Sequence, residues 1–440
     1  MNQPFDIRTV SLAIALLLGA LAPASPALTL QACIDAALEA HPGAQAAALR
    51  VEAARHAIDE ARSGWYPTLT AEAAYARTDQ PPQAFFMILN QRRLSFDDDF
   101  NNPGDTENLG LALQLAYPLY TGGTRSLQQA QARHGEAAAA GQRDAELNEL
   151  IHQVTRAYYG VLQAQAFVEV QTDTVHSLEE SLRVARVRFD AGSVVQTDVL
   201  NLEVRLAEAE ENLIRARNGV ELAVAALNTA IGRDLATASA ITPQPPHELD
   251  PPPATPAPDT VARPELRAAE EMAAIHELDW LQSRRAYQPR VNLFGSLDWN
   301  SDVSTDFENS YLVGVAAQWD LFTGFRRGAR NQQALRHWMA AQADAQVMRN
   351  QLQLDLRRAH LEANDAFERL GVANKSIQSA EESLRITSER YEGGAADITE
   401  LLTAQVGLTA TRSRAVSAYY DYLIALSNIA RAKGELVPEL

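Results

Sequence analysis

Residues 117 to 232 return 202 positions further along the chain without drift, and a chain that uses one large unit twice folds into two similar halves of one object. Leu119, Thr121, Gly122 and Arg125 come back as Leu321, Thr323, Gly324 and Arg327. Glu179 to Arg183 come back as Glu381 to Arg385, and Arg188, Gly192, Thr197, Leu206 and Gly232 as Arg390, Gly394, Thr399, Leu408 and Gly434. Upstream the offset is 222, with Pro42, Arg62 and Pro67 matching Pro264, Arg284 and Pro289. The first copy therefore holds about twenty extra residues between Arg77 and Glu107.

The strands of each copy are legible as alternation. From Leu109 to Leu119 every odd position is apolar, while the even ones are Gly110, Ala112, Gln114, Ala116 and Pro118. Tyr311, Val313, Val315, Ala317, Trp319 and Leu321 repeat that parity against Gly314, Ala316, Gln318 and Asp320. Period two sustained this long is enough to cross a bilayer as a tilted strand. Leu69, Ala71, Ala73 and Tyr75 in one copy, and Val291 to Trp299 in the other, supply partner strands. A soluble sandwich would also alternate, but the aromatics argue for membrane interfaces. Trp65, Tyr66, Tyr117, Tyr120, Trp319 and Phe322 stand where strand meets helix, and Tyr75, Trp299 and Tyr311 at the other strand ends. Two belts around an apolar band are what two interfaces select.

The helices are too long for a compact core. No proline falls between Pro118 and Pro243 or between Pro289 and Pro438. The 67 residues from Thr124 to Asp190, rich in Ala, Gln, Glu, Arg and Leu, would reach roughly 100 Å at about 1.5 Å per residue. Leu178, Leu182, Ala185 and Phe189, then Leu202, Leu206, Ala209 and Leu213, step with coiled-coil spacing. Ala191-Gly192-Ser193 ends one helix and Thr197-Asp198 opens the next; Gly393-Gly394 and Thr399-Glu400 do the same in the second copy.

The resulting domain plan is a signal segment 1–27 and a first repeat 28–240, with strands near 66–78 and 107–120 and long helices near 124–190 and 197–231. A connector 241–263 follows, then a second repeat 264–440 with strands near 289–300 and 310–322 and helices near 326–391 and 399–433. Nine of the twenty prolines fall between Pro243 and Pro264, which makes the connector stiff and extended. Arg8, the apolar run Val10 to Ala24 and Ser25-Pro26-Ala27 form an export signal with cleavage near Ala27. No later stretch supplies the roughly eighteen consecutive apolar residues of a membrane helix.

A net charge of −18 disfavours nucleic acid as a partner. The single Cys33 excludes an intrachain disulfide. Leu30-Gln31-Ala32-Cys33 faintly resembles a lipidation box, but the segment reads better as a helix start. There is no phosphate loop, nucleophile elbow or zinc-protease helix, the nine histidines are scattered, and Asp97-Asp98-Asp99 reads as a solvated acidic loop. No cofactor, metal site or catalytic group is expected, and an enzyme is remote.

Tyr117 to Gly123, Arg188-Phe189-Asp190-Ala191-Gly192 with Thr197-Asp198-Val199-Leu200, and their second-copy counterparts resemble the TolC family of outer-membrane efflux proteins. The resemblance covers Leu30 to Gly434. It implies an α+β chain whose long coiled-coil helices form a periplasmic α-barrel. Each protomer would contribute four strands to a trimeric transmembrane β-barrel. It also implies a passive exit duct of a tripartite pump or type I secretion system, working with a periplasmic adaptor and an inner-membrane transporter. The competing class is a periplasmic coiled-coil scaffold without a channel. On the same resemblance, Asp198, Tyr391, Asp397 and Glu400 belong to a pore constriction, and Gly192, Ser193, Gly394 and Ala395 to adaptor-docking turns. Ala396 and Thr403 depart from the closely studied member type, which has a basic residue and a second acidic one there. The carboxylate of Glu400 is therefore expected to lack a basic partner. The long first loop, Gln83 to Pro103, is expected outside the cell.

Overall fold

A computed structural model describes residues 28–97, 99, 101–235, 237, 241, 249–254, 263–303 and 306–435. The export signal, Asp98 and most of the proline-rich connector lie outside the described residues. The element order is α1 (Leu30–Ala40), α2 (Pro42–Ser63), β1 (Thr68–Thr78), α3 (Pro81–Asn90), β2 (Thr106–Tyr120), α4 (Thr124–Asp190), α5 (Gln196–Ala230), α6 (Pro264–Arg285), β3 (Arg290–Ser301), β4 (Glu308–Gln318), α7 (Arg326–Glu392) and α8 (Ile398–Lys433). The duplication is visible in the elements themselves: α4 and α7 are each 67 residues long, and both their ends stand 202 positions apart. The chain divides into two compact units, Met1–Gln45 with Glu146–Val261 and Leu354–Leu440, and Ala46–Ala145 with Ala262–Gln353.

The second of these units carries a four-stranded antiparallel sheet in the order β1-β2-β3-β4, so the two copies join where β2 pairs β3. Its register sorts side chains cleanly by face. Leu69, Leu115, Gly295 and Val313 make one row across the four strands, and Ala71, Leu113, Leu297 and Tyr311 the next, on one apolar face. Thr70, Gln114, Ser296 and Leu312 lie opposite one another on the other face, with Glu72, Asp298 and Asn300. On this polar face Gln114 donates to Glu72 at 3.4 Å and Asn108 to Asn300 at 2.9 Å. Among the described residues, both outer strands are unpaired on their far sides.

Two details depart from simple alternation. A register shift between Pro118 and Tyr120 leaves Leu119 without a partner and sets Tyr120 opposite Val291, so Tyr120 takes the place on the apolar face that parity assigns to Leu119. Strand β4 stops at Gln318, short of Trp319 and Leu321. Its partner Arg290 is the first residue of β3, and Pro289 before it has no N–H to extend the ladder.

The extra residues of the first copy are not all loop, because Pro81–Asn90 folds as helix α3. Proline at its first position costs no hydrogen bond there. Beyond α3, the buried Gln91 donates to Glu107 O at 2.7 Å and to Asn108 at 3.0 Å, and Arg92 donates to Asn309 O at 2.9 Å, pinning the segment to the hairpin end of the sheet.

In the first unit, residues from α1, α4, α5 and α8 close one core. Cys33, Ile34, Val154, Val161, Leu227, Ile231 and Tyr420 are buried together, joined by Ile241 from the connector. Cys33 is fully buried in α1 and acts as a small core residue, its thiol pushed up to about 11 by burial. A second cluster packs Leu356, Ala359, Ala363 and Ala366 of α7 against Tyr422 and Ile429 of α8. Tyr422 is fully buried and donates its hydroxyl to Asp250 O at 2.7 Å, so part of the connector is fastened to α8.

Candidate functional site

The two turns that join α4 to α5 and α7 to α8, and the ends of α5 and α8, use one device. Gly192, Gly232, Gly394 and Gly434 stand at φ between 73° and 78°, the left-handed region where only glycine is comfortable. At the first turn Ser193 N donates to Arg188 O at 2.8 Å and Gly192 N to Phe189 O at 2.8 Å; at the second, Ala395 N donates to Arg390 O at 2.7 Å and Gly394 N to Tyr391 O at 3.0 Å. These paired bonds are Schellman caps that satisfy the last carbonyls of α4 and α7. Gly192, Ser193, Gly394 and Ala395 are all exposed, so two short turns of small residues are presented.

Under the turns lies a coiled-coil core of Leu178, Leu182, Ala185, Val199, Leu202, Tyr391, Ile398 and Leu401. The stripe read from sequence holds to Ala185, whereas Phe189 turns outward, 40% exposed, because α4 ends one residue later. Polar rungs cross the apolar seam: Ser177 donates to the buried Gln405 at 3.0 Å, and Thr174 and Thr409 meet at 2.9 Å.

The four constriction candidates occupy different settings. Tyr391 is buried, and its hydroxyl has no hydrogen-bond partner among the described residues. Burial chiefly, and then the nearby charge of Asp198, push its phenol up, while Arg188 opposes them. Arg188 lies over the Tyr391 ring, 5.2 Å from its centre, and donates to Tyr391 O. Asp198 is half-buried in the first turn of α5, whose N-cap is Val195 with no side-chain bond. Asp397 is the N-cap of α8, accepting from Glu400 N at 2.9 Å.

Glu400 is exposed, and here the sequence expectation is corrected. Its carboxylate does not lack a basic partner, since Arg390 Nη1 donates to it at 3.0 Å and Arg390 Nη2 donates to Ala395 O at 3.1 Å. Ala396 supplies no charge, but an arginine at the end of α7 reaches across the turn instead. Arg188 and Arg390 were legible as repeat partners; their separate uses were not, because those depend on which side chain the opposite helix offers.

The aromatics expected at the membrane interfaces gather at the two ends of the sheet. Trp65, Tyr66, Tyr120, Tyr311, Trp319 and Phe322 are exposed, and Tyr117 and Trp299 half-buried. Tyr75, Trp299 and Tyr311 pair with Leu109, Leu111 and Leu297 and so step along the rows from strand to strand, as a level ring does across tilted strands. At the helix end, Trp319 Nε1 donates to Tyr287 O at 3.0 Å. Two arginines missed from sequence hold this junction. Arg125 is buried with its guanidinium 5.2 Å from Trp65 and 5.7 Å from Tyr117, and its repeat partner Arg327 lies 4.8 Å from the Tyr287 ring.

A family model described as outer membrane efflux protein matches residues 33–233 and again 261–435, one segment for each repeat. The chain belongs to the outer membrane efflux protein family. Among curated relatives, the alkaline protease secretion protein AprF of Pseudomonas aeruginosa is 23% identical over 75% of this chain and 70% of its own length. The outer membrane protein TolC of Vibrio cholerae is 21% identical over 95% of this chain and 93% of its own. The solved outer membrane channel CmeC of Campylobacter jejuni shares the fold at a TM-score of 0.79, with 17% identity, over 99% of this chain and 92% of that one. This efflux-family protein is thus an outer-membrane channel subunit reaching into the periplasm. No helix among its described residues is long and apolar enough to cross a membrane.

Proposed function

We propose that three copies of this chain close a β-barrel and form the passive exit duct of a tripartite efflux pump or type I secretion system. The observation that carries this reading is the sheet: an apolar face, a polar face and two unpaired edges. Open edges are forbidden in hydrocarbon, and four strands are fewer than the roughly eight of the smallest outer-membrane barrels, so closure needs further copies. Lipid would contact the apolar face, and the polar face would line the lumen.

The paired turns serve in this reading as the surface for a periplasmic adaptor, which links the duct to an inner-membrane transporter. Gly192, Ser193, Gly394 and Ala395 leave the capped backbone open to an approaching hairpin. Asp198, Tyr391, Asp397 and Glu400 form the pore constriction beside them. A cargo of secreted protein is supported by the likeness to a protease secretion protein. The chain performs no catalysis in this role, and no cofactor is required.

The test is reconstitution of the purified full chain in planar bilayers. Discrete conductance steps are expected. A preparation that never conducts, yet still binds envelope partners, would favour the scaffold reading.

A further inference from the structure

The sheet-bearing unit contains a cleft of ≈ 750 Å³ where the start of α4, the end of α6 and the first turns of α7 meet the base of β3. Arg285, Arg290 and Arg330 line it, with His276, His337 and Gln128. Its charge is unbalanced. Arg285 and Arg330 have no carboxylate partner among the described residues, and Arg290 reaches Asp320 only at 3.5 Å. The one acid lining the cleft, Asp279, accepts from Gln131 at 2.6 Å and lies 3.7 Å from His276 Nδ1. The two imidazoles, His276 and His337, stack with centres 6.3 Å apart, His276 turning Nδ1 toward Asp279 and His337 offering its ring nitrogens.

The duplication supplies an internal control. By the repeat offsets, Arg285, Arg290 and Arg330 correspond to Ser63, Thr68 and Gln128, and His276, Asp279 and His337 to Ala54, Ala57 and Gly135. At these six positions the first copy carries no charge, although Arg62 and Arg125 stand at the same junction. Packing two helices against the base of a strand does not require charge at these positions, because the first copy does so without it. In a chain of net charge −18, three cations gathered in one cleft make a local field opposite to the whole.

Arg290 fixes the side on which the cleft opens. It pairs Gln318 and shares a face of β3 with Asn292, Phe294 and Ser296, opposite to Val291 and Leu293. We infer that this cleft is a lumenal binding site for multiply charged anions, carrying phosphate or carboxylate groups, on cargo passing through the duct. Guanidinium forks match the paired oxygens of such groups, and a cleft this size accommodates a molecule bearing several of them. The inference rests on the exit-duct reading for its placement in the lumen. The binding chemistry stands on the residues themselves.

The full chain, purified in detergent, is titrated with inorganic pyrophosphate by calorimetry, and its conductance in planar bilayers is recorded with and without pyrophosphate. Wild type is expected to bind, and the Arg285→Gln/Arg330→Gln variant to bind at least tenfold more weakly. Pyrophosphate should reduce wild-type conductance and leave the variant's unchanged, while Gly135→Ala keeps the wild-type block. No binding by wild type, or equal binding by a variant with unaltered helical circular dichroism, overturns the site. Anionic phospholipid co-purifying with wild type and lost in the variant, without pyrophosphate binding, overturns the lumenal assignment in favour of a headgroup site. If no conductance is seen at all, the exit-duct reading fails, and calorimetry still decides whether the cleft binds anions.

Discussion

Arg188 and Arg390 hold the same position in the two repeats and perform different work. One braces Tyr391 across the helix pair, and the other neutralises Glu400 within its own hairpin. The Arg390–Glu400 pair is about half-exposed, with side-chain exposures of 50% and 48%, so it contributes less than about 1 kcal/mol to stability. Its effect on ions is another matter, since a ring of three such pairs in a narrow aperture sets the local potential. Glu400→Gln is expected to lower the cation preference of the reconstituted duct, and Arg390→Gln to raise it by exposing the carboxylate. Reversal potentials in asymmetric KCl check both signs, and an unchanged value in both variants removes the pair from the pore.

The buried His360 and the half-buried His152 make acid sensitivity a residue property. His152, within 3.2 Å of Ser427 Oγ, is held below its ordinary value by burial first and by Arg431 second; His360 is lowered by burial and by Lys433. The unfolded chain takes up these protons near pH 6.5 and the folded chain resists them, so stability is complete above that value and declines as pH falls below it. Acid titration of helical circular dichroism should show a lower unfolding midpoint for His152→Gln than for wild type.

At the scale of elements, legibility followed periodicity. The strands were readable because one face is apolar along its whole length, and the 67-residue helices because nothing in either stretch interrupts them. Helix α3 was hidden, since Phe85, Phe86, Met87, Ile88 and Leu89 run together without a repeat to show which face packs. The bulge that exchanges Leu119 for Tyr120 was hidden for a different reason, because it depends on the partner strand. The partner of Glu400 was hidden because Arg390 reaches it across a turn of small residues.

Close helix approach gives a test at this scale. A Cβ on Gly141 of α4 would stand 2.9 Å from Pro264 O and 3.1 Å from Ala268 Cβ at the start of α6, whereas one on Gly135 would meet nothing within 4 Å. Gly141→Ala should therefore destabilise by about 1–3 kcal/mol through overpacking. Gly135→Ala should be neutral or stabilising by up to about 1 kcal/mol from helix propensity. Guanidinium unfolding followed by circular dichroism distinguishes them, and equal midpoints would contradict the tight α4–α6 contact.

The whole molecule is incomplete as a single chain. Leu69, Tyr311, Val313 and Val315 are exposed on one face of the sheet, and β1 and β4 each keep an open edge. Membrane lipid can cover the face, but only another strand can satisfy an edge. Four strands from each of three copies close a barrel of a size known among outer-membrane proteins. The same threefold axis would gather the Glu400 residues around the aperture and give the duct three anion clefts. The aperture's ion preference and the lumenal placement of the cleft therefore depend on that closure. Native mass spectrometry of the detergent-extracted full chain measures it directly: the account predicts one species at three times the mass of the mature chain, and a water-soluble monomer or dimer would contradict it.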